Sequence, residues 1–143
     1  MSPSKIIQSW LIQNTLAGDP LDSAPTWPCY MVSLPEGTGV PSDAVCVYDT
    51  TPVPDGRLLR TGEQIVHPGI QIKVRSQSYQ AGWDKAQAIA ETLDAATRAQ
   101  VSVDSVLHTM VAASRISGPV SLGVDPSSIK RTFSFTLNYR ITL

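Results

Sequence analysis

The spacing of apolar positions changes period along the chain, and each change predicts an element. Ile6, Ile7, Trp10 and Leu11, with Ile12 off register, recur at three-and-four spacing, which predicts an amphipathic helix. Pro3 suits its first position and Ser2 its cap. Gly18, with Pro20 behind it, offers a stop, so the predicted helix spans 3–17. Pro20, Pro25, Pro28, Pro35 and Pro41 then break the chain, because proline lacks a donor and fixes φ. Only a short strand, Cys29–Leu34, fits between them. Ala44–Thr50 is a second, β-rich run. Thr51–Gln64 reads as a long connection, with Asp55-Gly56 as a turn signal and Leu58-Leu59 held between Arg57 and Arg60.

Gly69–Ser76 alternates cleanly. Ile70, Ile72 and Val74 point one way, and Gln71, Lys73 and Arg75 the other. Pro68-Gly69 separates this run from Ile65-Val66-His67 and predicts a bulge or bend. From Tyr79 to Arg98 the period becomes helical, with Tyr79, Trp83, Ala86, Ala90, Leu93 and Thr97 on one face. Val101–Val103 and Val106–Ala113 are strand candidates. Ser117-Gly118-Pro119 predicts a turn, Val120–Leu122 a continuing hairpin arm, and Asp125-Pro126-Ser127-Ser128 another turn. The last strand has the clearest pattern. Phe133, Phe135, Leu137, Tyr139, Ile141 and Leu143 alternate strictly with polar residues, as in a half-buried antiparallel strand. Strands therefore come in groups around two helices. This order predicts an α+β fold, a mostly antiparallel sheet with an N-terminal helix and one long central helix packed on it. A chain of 143 residues fits one domain, 1–143.

Charge narrows the function. Charged residues make up 16%, and the net charge is −1. A nucleic-acid binder carries a basic footprint that this chain lacks. No apolar run reaches the roughly 20 residues of a membrane helix, and the first ten residues lack the apolar region of a secretory leader. A surface poor in charge fits one covered by a partner.

Catalytic chemistry is faint. Cys29 and Cys46 match no metal-ligand spacing with His67 and His108, and read as buried free thiols. Arg60-Thr61-Gly62-Glu63 lacks the glycine spacing of a phosphate loop. His108 reads as a strand residue, and His67 as a hydrogen-bonding group at a bend. Asp49, Asp55 and Glu63 flank the long connection, where clustered acids could bind a divalent ion or do acid–base work, while turn and cap duty explains Asp55 equally. Lys130-Arg131 is too small for a phosphate-tracking groove. Trp10 and Trp83 fall on helical apolar stripes, whereas Trp27 has no assigned place. These residues point to a non-enzyme without metal or cofactor. The low charge, the Arg57–Arg60 segment and a C-terminal strand offering an edge all lean towards assembly.

Several segments carry a resemblance: Trp27-Pro28-Cys29-Tyr30, Val45 to Thr50, Asp55 to Glu63, His67 to Ile72, Ser117 to Gly123 and Phe133 to Asn138. From Trp27 onwards they resemble the minor capsid or tail-completion proteins of long-tailed bacteriophages, a group similar to tail terminators. The resemblance implies a hexameric ring at the head-proximal end of the virion tail, assembled in the host cytoplasm. Such a ring caps the tail tube, stops its polymerisation and offers the head–tail joining surface. Its implied partners are further copies of the chain, the tube protein and a head-proximal connector or neck protein. DNA would pass through the lumen without specific binding, and no membrane is involved. The resemblance also implies a contact segment at Asp55, Arg57, Leu58, Leu59, Arg60 and Glu63. Two other readings remain: a neck or head–tail connector ring protein, and a small metal- or ligand-binding module.

Overall fold

The computed structural model of the chain describes residues 2–23, 26–35, 41–57, 59–62, 64–124 and 131–143. In chain order the elements are α1 (Pro3–Gln13), β1 (Cys29–Met31), β2 (Ala44–Arg57), β3 (Gln64–Ser76), α2 (Tyr79–Ala95), β4 (Thr97–Val103), β5 (Val106–Val124) and β6 (Phe133–Thr142). The strands form one sheet in the order β1-β2-β3-β6-β5-β4. Neighbours run antiparallel, except that β1 lies parallel to β2. Both helices cover the same face of the sheet, and their apolar stripes join one core with Val45, Val47, Ile70, Ile72, Val74, Phe135, Leu137, Tyr139 and Ile141. The fold is α+β, as the grouping of strands predicts.

Ser2 caps α1 and Pro3 opens it. The helix ends at Gln13, four residues before the predicted 17. The Asn14 side-chain amide donates to the Trp10 carbonyl at 2.8 Å, and Thr15 turns left-handed at φ 58°. A polar side chain that satisfies an end carbonyl stops a helix as well as glycine does. Gly18 has a different use. It bridges to Pro28, and a Cβ there would lie 2.6 Å from the Thr26 carbonyl oxygen. Strand β1 ends at Met31 rather than Leu34, because Val32 sits at φ 72°.

The predicted connection Thr51–Gln64 is mostly strand. Pairing of β2 with β3 runs from Ala44↔Arg75 to Thr50↔Gly69, resumes at Val53↔His67 and reaches Arg57↔Gln64. Each of the two shifts places an extra β2 residue against β3, so the anticipated irregularity near Gly69 falls on the partner strand. Pro52 and Pro54 are tolerated because β1 pairs only with Val45–Val47 and leaves the rest of β2 an outer edge. Helix α2 starts at the Ser78 cap and ends at Ala95, before the predicted Arg98; β4 begins at Thr97 and not Val101.

Two further expectations are overturned. Ser117-Gly118-Pro119 is no turn but lies within the 19 residues of β5, where the ladder with β6 shifts register. Gly118 is at φ 104°, and a Cβ there would stand 2.5 Å from the Thr136 carbonyl oxygen, so the strands touch through glycine. The final strand is antiparallel, yet it offers no edge: β6 is central, between β3 and β5. Asp125–Ser128 lies outside the described residues.

Candidate assembly surface

Residues directly opposite on neighbouring strands share a face. The register therefore defines the face that carries no helix: Tyr48 and Cys46 on β2, Gln71, Lys73 and Arg75 on β3, Thr136, Asn138 and Arg140 on β6, and Ser114, Ser117 and Val120 on β5. Three cations and no carboxylate occupy these positions. Arg75 is buried and donates to the carbonyls of Pro35, Pro41 and Ser42 at 3.0–3.1 Å, fastening that segment to the sheet. Lys73 and Arg140 are half-buried, and among the described residues neither has a carboxylate partner.

Strand β5 stands apart from the rest of the sheet. More than half of the large apolar side chains exposed among the described residues lie on it: Val106, Leu107, Val111, Ile116, Val120, Leu122 and Val124. Strand β4 stops at Thr97↔Ala112, so among the described residues β5 beyond that point is paired only with β6. Its three register shifts each place an extra β5 residue against β6, which keeps apolar side chains turning outwards. Ile116 is 60% exposed and Leu122 57%; Leu122 borders a shallow hollow with Lys73 and Ser134 on the helix-free side.

The predicted contact segment sits at the tip of the β2–β3 hairpin. Thr51, Pro52, Pro54, Gly56, Arg57, Leu59 to Gly62, Gln64 and Val66 are all exposed, so this arm reaches beyond the core. Seven strand residues extend about 23 Å. Arg57, Leu59 and Arg60 are exposed together there, Leu59 completely. Leu58 and Glu63 lie outside the described residues; Asp55 has a place in β2, but its side chain is not described. The strand β5 surface was missed from the sequence. Its visible signal was Val120–Leu122, apolar residues following a supposed turn.

Two of the catalytic candidates, Asp49 and His67, make structural contacts. Asp49 accepts from the Ser4 amide at 2.9 Å and the Ser4 hydroxyl at 2.7 Å, so it binds the first turn of α1 to β2. Asp55 and Glu63 add no described side chain, and among the described residues no His, Cys, Asp and Glu group could hold a metal. His67 Nδ1 meets the Thr142 hydroxyl at 3.1 Å, a hydrogen bond as expected. His108 is half-buried in β5, its Nε2 shielded and without a hydrogen-bond partner among the described residues. Cys29 and Cys46 are buried free thiols. Burial, helped by the neighbouring Cys46, pushes Cys29 up to about 12, and burial also raises Cys46; neither suits a nucleophile. Burial likewise raises the Tyr139 phenol, reinforced by Asp94, which lies 3.1 Å away. Trp10 is core and Trp83 packs edge-on against Phe135. Trp27 receives the Lys85 ammonium 5.2 Å from its ring centroid, and Lys85 also donates to the Leu16 carbonyl, closing the segment after α1.

Fold and surface together describe a small α+β protein whose exposed apolar side chains and projecting hairpin suit protein contacts. The family comparison is more specific. The model of the bacteriophage tail terminator protein family matches residues 10–143, and the chain belongs to that family. It is accordingly a structural component of a phage tail. No curated protein matches the chain.

Proposed function

We propose that this chain is the terminator of a phage tail, closing into a ring, hexameric in our reading, that caps the tube and ends its polymerisation. The observation that carries the reading is the family match across residues 10–143. The exposed apolar side chains of β5 and the hairpin tip support it, because apolar side chains exposed together mark sites of protein contact. The ring sits at the head-proximal end of the tail, is assembled in the host cytoplasm, and gives the head connector its joining surface. Arg57, Leu59 and Arg60, with Asp55, Leu58 and Glu63 around them, form a contact segment for the tube or the adjacent subunit.

The dimensions agree. A 143-residue domain is about 37 Å across, and six such bodies in a ring leave a hole about one body wide, enough for a DNA duplex. A net charge of −1 on each copy lets DNA slide through without being gripped.

The test is negative-stain imaging and light scattering of the purified chain, alone and with tail tubes. Rings, or particles on one end of each tube that block its growth, are the expected result. Leu58→Ser with Leu59→Ser should abolish capping while the monomer stays folded. A folded parent chain that remains monomeric and ignores tubes would reject the proposal. Attachment to the head vertex without any effect on tubes would favour a neck protein.

A further inference from the structure

The two faces of the sheet differ in charge as well as in cover. Helix α2 carries four charged residues, Asp84, Lys85, Glu91 and Asp94. Lys85 is turned towards Trp27 and the Leu16 carbonyl. Asp94 is tied to Arg115 at 2.9 Å. That leaves Asp84 and Glu91 outermost, each exposed and, among the described residues, held only by a glutamine four residues away. They lie seven residues apart, two helical turns, so both project from one side about 10.5 Å apart.

The helix-free face carries the opposite sign. Lys73 lies across from Thr136, and Arg140 is four residues further along the same β6 strand. Their Cα atoms are therefore about 14 Å apart. The mismatch with the acidic pair is about 4 Å, within reach of Lys and Arg stems. On the same face Val120 lies across from Thr136 and Leu122 borders Lys73, and the exposed Ile116 precedes them along β5; these three make up the β5 ridge. Its exposed area is on the order of 300 Å², in the range of the largest apolar patch on a typical monomer, which is often a contact site.

We propose that neighbouring copies of this chain pack back to front: the outer side of α2 on one copy, through Asp84 and Glu91, meets the Lys73 and Arg140 face of the next, and this contact covers the β5 ridge. The inference rests on the ring reading and names the surfaces that close the ring. Two different patches of one molecule make a heterologous contact, which yields a ring where its rotation closes and never a two-fold dimer. The contact commits to a second copy as the occupant, because acidic and basic pairs of similar spacing sit on opposite sides of the same chain.

The experiment is charge reversal with complementation. One variant carries Asp84→Lys and Glu91→Lys; the other carries Lys73→Glu and Arg140→Glu. None of the four side chains is buried, and circular dichroism verifies that each variant is folded. Assembly mass is read by sedimentation at 0.1 M salt, on tube tips if the parent assembles only there. Each variant alone should weaken assembly at least tenfold. An equimolar mixture should restore it, because alternating copies again meet opposite charges. Either variant assembling like the parent, or a mixture that stays dispersed, would overturn the back-to-front contact while leaving the ring intact. A parent chain that assembles under neither condition would instead remove the ring reading itself. Leu122→Asp should also disperse the ring. Intact self-assembly with lost tube capping in that variant would assign the ridge to the tube protein and overturn this part of the proposal.

Discussion

Strands β5 and β6 are neighbours, paired over much of their length, and comparably rich in apolar residues, yet they meet opposite fates. On β6, Phe135, Leu137, Tyr139 and Ile141 are fully buried. On β5, Ile116, Val120 and Leu122 face water. The difference comes from position and regularity. Strand β6 is central, is flanked by β3 and β5, and keeps an unbroken alternation with β3 from Phe133 to Arg140, so every second side chain meets α2 or its neighbours. Strand β5 loses its outer partner beyond Ala112 and shifts register three times against β6. Apolar content alone therefore does not decide burial. Where a strand is covered, its apolar residues stabilise the fold; where it is not, they remain for another chain.

Substitutions should separate these two uses. Leu137→Ala should have the largest effect, destabilising the protein by about 2–5 kcal/mol, because it removes buried methyl groups and leaves a cavity; urea unfolding measures it. Alkaline pH should come next and probes the dryness of the covered side. Cys29 keeps its proton up to about 12 in the fold, against 9.0 for an ordinary thiol. The unfolded thiol ionises first, so this stabilisation is complete below pH 9 and is lost as pH rises towards 12. One such proton contributes a slope of about 1.4 kcal/mol per pH unit, and Cys29→Ala should make the alkaline decline shallower. Gly82→Ala on α2 should cost about 1–3 kcal/mol. A Cβ there would approach Phe135 Cε2 to 2.6 Å, which outweighs the better helix propensity of alanine. Val120→Ser on β5 should change unfolding free energy least, by no more than about 0.5 kcal/mol, while assembly mass falls. A large loss of stability in Val120→Ser, or none in Leu137→Ala, would erase the distinction between the two strands.

A comparable contrast runs along the β2–β3 hairpin. From Ala44 to Val47 and Ile70 to Val74 the alternation is legible, and the structure follows it. Beyond Thr50 the sequence reads as a loop, since Pro52, Pro54 and Gly56 are turn residues. They are accommodated in a strand because that stretch of β2 is an edge with two register shifts. The acids Asp49, Asp55 and Glu63 suggest a site when read side by side. Folding takes Asp49 out of that group, since its carboxylate is used by Ser4 of α1.

The sequence by itself determined the α+β class, the helix starts at Pro3, with its Ser2 cap, and at Tyr79, the alternating strands at Gly69–Ser76 and Phe133 onwards, and the family likeness. These depend on local caps, periods and short motifs, which act over a few residues. Only the tertiary structure decided that β6 is central, that the Ser117-Gly118-Pro119 segment continues a strand, and that β5 leaves its apolar residues uncovered. It also set Lys73 and Arg140 on the opposite side of the sheet from Asp84 and Glu91. Each of those outcomes depends on which strand lies beside which, and strand order is set by long-range pairing that no local pattern encodes.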